Sequence, residues 1–115
     1  MTKEAFSVPD LHRFAESLGV DPVEIEADTQ EIDLEDVTGE SLRFSFSTAG
    51  RSIRLLWTRE SGTVDIFREG ATRLWIEEGG RETILCTEFA TGSIKGSLRL
   101  RVFPHIELKD ELLFS

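Results

Sequence analysis

The sequence predicts a mainly β fold, all-β or α+β: a six-stranded antiparallel meander, strongly coiled or barrel-like, behind an N-terminal helix. Three observations carry that expectation. From residue 41 onward apolar and polar residues alternate in short runs, and glycine-containing pairs separate the runs at hairpin distances. Only one stretch, near the N-terminus, repeats its apolar residues at helical spacing. At 115 residues one domain is the default, divided into an acidic helical segment over 1–40, the meander over 41–109 and a C-terminal tail over 110–115.

Ser7-Val8-Pro9-Asp10 reads as a helix start, with Ser7 as N-cap, an acidic residue three positions on and a proline that the first turn tolerates. Leu11, Phe14, Ala15 and Leu18 follow on one helical face, and Gly19 can end the helix left-handed, which predicts a helix over about residues 8–18. Residues 22–27 support a second short helix or a strand: Asp21-Pro22-Val23-Glu24 repeats the capping pattern, yet Val23, Ile25 and Ala27 alternate with acidic residues. Ile32 and Leu34 alternate with Glu31, Asp33 and Glu35 as a weak, very acidic strand.

The turns at Ala49-Gly50, Ser61-Gly62, Glu69-Gly70, Gly79-Gly80 and Thr91-Gly92 fix a register, because residues paired across two strands share a face. The first sets Phe46 opposite Ile53, Phe44 opposite Leu55 and Leu42 opposite Trp57; the second sets Trp57 opposite Ile66. A bulged loop at Gly70 sets Val64 opposite Leu74 and Asp65 opposite Arg73. The fourth brings Ile76 to Thr83 and Leu74 to Leu85, and the fifth brings Phe89 to Ile94, Leu85 to Leu98, Glu88 to Lys95 and Glu82 to Arg101. The last strand keeps its parity from Leu98 through Pro104 to Leu108, with Pro104 needing an edge or a bulge.

One face is then nearly all apolar and is the expected core, with Leu42, Phe44, Phe46, Ile53, Leu55, Trp57, Val64, Ile66, Leu74, Ile76, Leu85, Phe89, Leu98, Leu100 and Val102. The other carries Arg43, Ser45, Ser47, Arg54, Asp65, Arg73, Arg99 and Arg101, but also Leu56, Phe67, Trp75 and Ile84, an apolar stripe where water should be. Either the helix covers that stripe with Leu11, Phe14 and Leu18, or another chain does.

Charge is segregated. The net charge is −9; residues 1–40 hold twelve acidic and two basic side chains, whereas residues 41–115 hold ten acidic and eleven basic. Glu24, Glu26, Asp28, Glu31, Asp33, Glu35 and Asp36 make an acidic surface that repels nucleic acid and attracts a basic protein. The stretch from Leu11 to Ile25 resembles the opening of a helix-turn-helix, but its second segment is acidic and unsuited to DNA. No apolar run reaches membrane length, and the first residues lack a secretory leader pattern, so a cytoplasmic protein is expected.

No nucleotide-binding loop, nucleophile elbow or kinase signature occurs. A lone cysteine, Cys86, and two separated histidines, His12 and His105, supply too few ligands for zinc, and the acidic run lacks the glycine and spacing of a calcium loop. No catalytic residue, metal or cofactor is therefore expected, and Cys86 should be a buried, inert thiol. The expected function is a non-enzymatic protein-binding or regulatory module, self-associating or holding a basic partner, through the stripe Leu56, Phe67, Trp75, Ile84 or the acidic segment. The alternative is a cupped sheet or barrel holding a small apolar ligand against Phe44, Phe46 and Trp57.

Overall fold

The computed structural model describes residues 5–114. The chain is mainly β, with a short N-terminal helix and its strands in two open antiparallel sheets that do not close into a barrel. Helix α1 (Leu11–Leu18) is followed by β1 (Val23–Glu26), β2 (Thr29–Asp33), a single helical turn α2 (Glu35–Thr38), β3 (Ser41–Ser47), β4 (Ser52–Arg59) and β5 (Gly62–Glu69). Next come β6 (Ala71–Gly79), β7 (Glu82–Thr91), β8 (Ile94–Phe103) and β9 (Glu107–Phe114). The first sheet has the order β1-β2-β3-β4-β5 and the second β6-β7-β8-β9.

Helix α1 ends as its sequence demands, with Gly19 at φ 74° and its amide donating to the Ala15 carbonyl. Its start differs from expectation. The cap is Asp10, whose carboxylate accepts from the His12 amide, because the backbone of Ser7 is engaged elsewhere: it bridges β6, accepting from the Leu74 amide at 2.8 Å and donating to the Thr72 carbonyl at 3.1 Å. Residues 23–26 are a strand, and the segment expected to be helical over 1–40 supplies two of the five strands of the first sheet. Ile32 and Leu34 are buried while Glu31 and Asp33 point away, as the alternation requires.

The six-stranded meander is corrected at Gly70. Instead of pairing with β5, β6 leaves for the second sheet, so Val64 does not face Leu74, nor Asp65 Arg73. Gly70 has φ 82°, and a Cβ there would meet Thr91 Oγ1 at 2.4 Å and the Ala90 carbonyl at 3.0 Å; only glycine passes this crossing without displacing its neighbours. The junction is pinned by the Ala71 amide donating to Arg51 O and the Ala90 amide donating to Gly70 O, each at 2.9 Å. The C-terminal tail is corrected too: after Phe103 the chain turns through Pro104, and residues 107–114 run back along β8 as β9. Strand β8 therefore stops short of Ile106 and Leu108.

The β3–β4 register is the expected one, Phe46 to Ile53, Phe44 to Leu55 and Leu42 to Trp57. Three others slip by two residues, giving Trp57 opposite Val64, Ile76 opposite Leu85 and Thr87 opposite Leu98. A two-residue slip keeps every side chain on its face. Glu82 thus still reaches Arg101, at 3.4 Å, while Glu88 faces Ser97 directly and shares its side of the sheet with Lys95.

The inner faces of both sheets make one core. Phe44, Phe46, Ile53 and Leu55 from the first meet Leu74, Leu85, Leu98, Leu100 and Val102 from the second; Val64, Ile66 and Ile76 are only partly buried against them. Helix α1 joins this core rather than the outer stripe. Phe14 is fully buried and stacks on Phe46 with ring centroids 5.5 Å apart, and Leu18 is buried beside it, leaving Leu11 exposed. Arg68 of β5 and Asp110 of β9 form a two-pronged ion pair that ties the outer strand of one sheet to that of the other. Among the described residues no helix is long and apolar enough to cross a membrane.

Candidate functional site

Splitting the meander divides the apolar stripe between two surfaces. Leu56 and Phe67 lie on the outer face of the first sheet, and Trp75 and Ile84 on that of the second. The two halves have different surroundings.

On the second sheet Trp75 is covered from within. Arg73 lays its guanidinium over the Trp75 ring at 4.3 Å, and the Trp75 indole N–H donates to Glu77 at 3.1 Å. Arg99 donates to the same carboxylate at 2.7 Å, and Arg101 joins Glu82 and Glu107. Glu77 is held below the usual carboxylate range, first by the Arg99 hydrogen bond and then by that of Trp75. Cys86 lies beneath this network, buried, and burial pushes its thiol up to about 11 despite the nearby cation of Arg99. A hollow of about 490 Å³ opens beside it, lined by Trp75, Glu88, Lys95, Ser97 and Arg99 among others.

The first sheet presents the opposite arrangement. Its outward residues form rows across all five strands, and the central row runs Val23, Glu31, Ser45, Arg54, Phe67. The next row runs Glu26, Thr29, Ser47, Ser52, Glu69. Serines on β3 make a low floor, and the large side chains stand at the two edges. Val23 is 62% exposed, Ile25 47% and Phe67 57%. Between them lie two hollows that share Ser45 and Arg54. One, of about 330 Å³, is bounded by Ile25, Glu26 and Phe67, and the other, of about 220 Å³, by Glu31, Arg43 and Leu56. Together they form a groove along β3.

The charges in this groove are not balanced. Arg54 clasps Asp65 with two hydrogen bonds, of 3.0 and 2.8 Å, which raises the arginine and lowers the aspartate from their ordinary values. Arg43 sits 3.7 Å from Asp33, whose other oxygen accepts from the Glu35 amide at the start of α2. Both cations of the groove are thereby committed to their own sheet. Glu26 and Glu31 have no ion pair among the described residues, and Glu24 and Asp28 stand exposed beside them on the β1–β2 hairpin. Glu35 and Asp36 lie apart, on α2.

Two surfaces that the sequence presented as alternatives, the apolar stripe and the acidic segment, thus meet on the first sheet through Leu56, Phe67, Glu26 and Glu31. Trp75 and Ile84 are not part of that meeting. Val23 and Ile25 were missed as contributors, although their alternation with Glu24 and Glu26 was the signal that could have found them. His12 and His105 are both exposed and belong to separate elements, and no group of three or more metal-ligating side chains occurs among the described residues.

No family model matches the chain, and none of the curated proteins searched does. Among solved structures the chain is similar to one from a contact-dependent growth inhibition toxin–immunity protein complex from Klebsiella pneumoniae 342. The TM-score is 0.79 over 93% of this chain and 96% of that chain, at 18% sequence identity. The likeness is one of fold.

Proposed function

We propose that this chain is a protein-binding module of the immunity kind, which captures a basic protein domain on the outer face of its first sheet. One observation carries the reading: three strongly exposed apolar side chains, Val23, Ile25 and Phe67, share a face with carboxylates that form no ion pair among the described residues. An apolar patch supplies the affinity, and the surrounding charge selects and steers the partner. Five strands about 4.8 Å apart and about seven residues long give a face on the order of 500 Å² before its rims are counted. That approaches the ~800 Å² one side of a standard interface buries. The likeness to a chain of a toxin–immunity complex supports the same reading, since that fold is found in a complex of two proteins.

The test is capture of partners from the native cell at low and moderate salt, followed by reconstitution with the purified partner. A basic, stoichiometric partner is expected, bound at least about thirtyfold more weakly by Phe67→Asp with melting temperature unchanged. A partner that binds Phe67→Asp as well as the parent would exclude this face, and a second copy of the chain as the sole partner would make the module self-associating.

A further inference from the structure

Resting on that docking reading, we infer that the groove along β3 receives an amphipathic helix of the partner, with basic side chains toward β1–β2 and apolar ones toward β5. The dimensions select a helix. From the β1 rim to the β5 rim there are four interstrand spacings, roughly 19 Å. A helix with its side chains is about 10–12 Å across and fills that span together with the rim side chains, whereas a single extended segment occupies one spacing of about 4.8 Å and leaves the rims bare. The floor is lowest at Ser45 and Ser47 of β3, where the rims present Ile25 and Phe67, and the arginines that also line it are drawn aside, Arg54 to Asp65 and Arg43 to Asp33. The length is that of a short helix: the five residues of β3 that β2 flanks, Arg43 to Ser47, extend about 16 Å, roughly three helical turns.

The walls then dictate the orientation of that helix. Glu26 and Glu31, on the β1–β2 side, are the groove's carboxylates without an ion pair among the described residues; the apolar Leu56 and Phe67 stand on the β4–β5 side, and Ile25 stands beside Glu26, where the aliphatic stem of a lysine can pack on it. Arg43 and Arg54 do not reverse this asymmetry, since each already holds an aspartate. A partner helix with lysines or arginines along one flank and leucine-like residues along the other matches both walls at once. It would also supply the layer that an exposed sheet face otherwise lacks, the chain's own α1 being used on the core side.

The probe is a synthetic peptide about 18 residues long, roughly 27 Å as a helix, with lysines on one helical flank and leucines on the other. Its control is an isomer of identical composition ordered to alternate as a strand. Titrated into the isotopically labelled full chain at low salt, the helical peptide is expected to shift the amides of Ser45, Ser47 and Phe67, and to bind about tenfold more tightly than its isomer. A Glu26→Lys/Glu31→Lys variant with unchanged melting should weaken it by about tenfold. Equal binding of the two isomers, shifts confined to the second sheet, indifference to the double variant, or no binding would each overturn the inference. The docking reading fails separately, when the reconstituted partner ignores Phe67→Asp; a partner lost with Phe67→Asp beside a peptide that avoids the groove would remove the helix alone.

Discussion

The outer faces of the two sheets are built from similar residue types and solve the same problem in opposite ways. On the second sheet Trp75 is shielded by Arg73, its indole is satisfied by Glu77, and Glu77 is shared with Arg99, so the largest apolar side chain there has its partners within the chain. On the first sheet Arg54 and Asp65 satisfy each other, while Phe67 is left more than half exposed at one edge and Glu31, across the same row, has no ion pair among the described residues. A closed face contributes to stability. An open one forgoes that contribution, and the groups it leaves unpartnered are those a second molecule would complete.

Substitutions on the two faces should therefore separate stability from binding. Trp75→Ala is expected to have the largest effect on folding, about 2 to 3 kcal/mol by urea denaturation, since it removes a half-buried ring, a cation–π contact and a hydrogen bond, while leaving partner affinity unchanged. Cys86 sharpens the contrast through pH. Its folded thiol titrates at about 11 against an ordinary 9.0, so the folded state retains the proton that the unfolded state loses. The resulting stability is fully present below pH 9 and is lost as pH rises through about 11, by about 2 kcal/mol relative to Cys86→Ala, whose stability should lack this component. A wild-type curve parallel to that of Cys86→Ala between pH 8 and 11 would show that the site is wet.

A smaller effect is expected of Glu77→Gln. The carboxylate is nearly half exposed, so losing its ion pair costs less than about 1 kcal/mol. Its lowered value means that this contribution is present above about pH 4.5 and disappears as pH falls through the folded value, so the variant's acid melting profile should be the flatter one. Smallest of all is Phe67→Ala, expected to change folding stability by less than about 0.5 kcal/mol because most of its ring is already in water. If Phe67→Ala destabilises the fold as much as Trp75→Ala does, the distinction between an open and a closed face disappears.

What the sequence made legible was parity. Hairpin glycines located the turns to within a residue or two, and errors of two residues left Leu56 and Phe67 on the outer face and Leu55 and Ile66 on the inner one. What it hid was the destination of a strand. The signal at Gly70 is that of any bulged hairpin, and the supposed pair Asp65–Arg73 had the right charges; only the tertiary crowding of Gly70 against Ala90 and Thr91 shows that the chain crosses to another sheet there. The weak acidic strands were ambiguous for a related reason. Val23 and Ile25 are barely buried, so β1 is held by its ladder to β2, which no local periodicity records. The cover over Trp75 was missed because it is made by the arginine two residues before it, a side chain counted as polar surface.

The tie between Arg68 and Asp110 also governs the order in which the fold can be completed. Neighbouring strands of the first sheet pair over short loops, but its inner face, with Phe44, Phe46 and Leu55, stays bare until the second sheet arrives, and Ser7 must wait for Thr72 and Leu74. The strand carrying Asp110 is the last in the chain, and its clasp is expected to form after the folding barrier rather than before it. Arg68→Ala should accordingly speed unfolding severalfold while leaving the refolding rate in water almost untouched, a split that stopped-flow chevrons resolve. The ion pair then acts as a latch on the finished sandwich, setting how long the two sheets stay together rather than how quickly they meet.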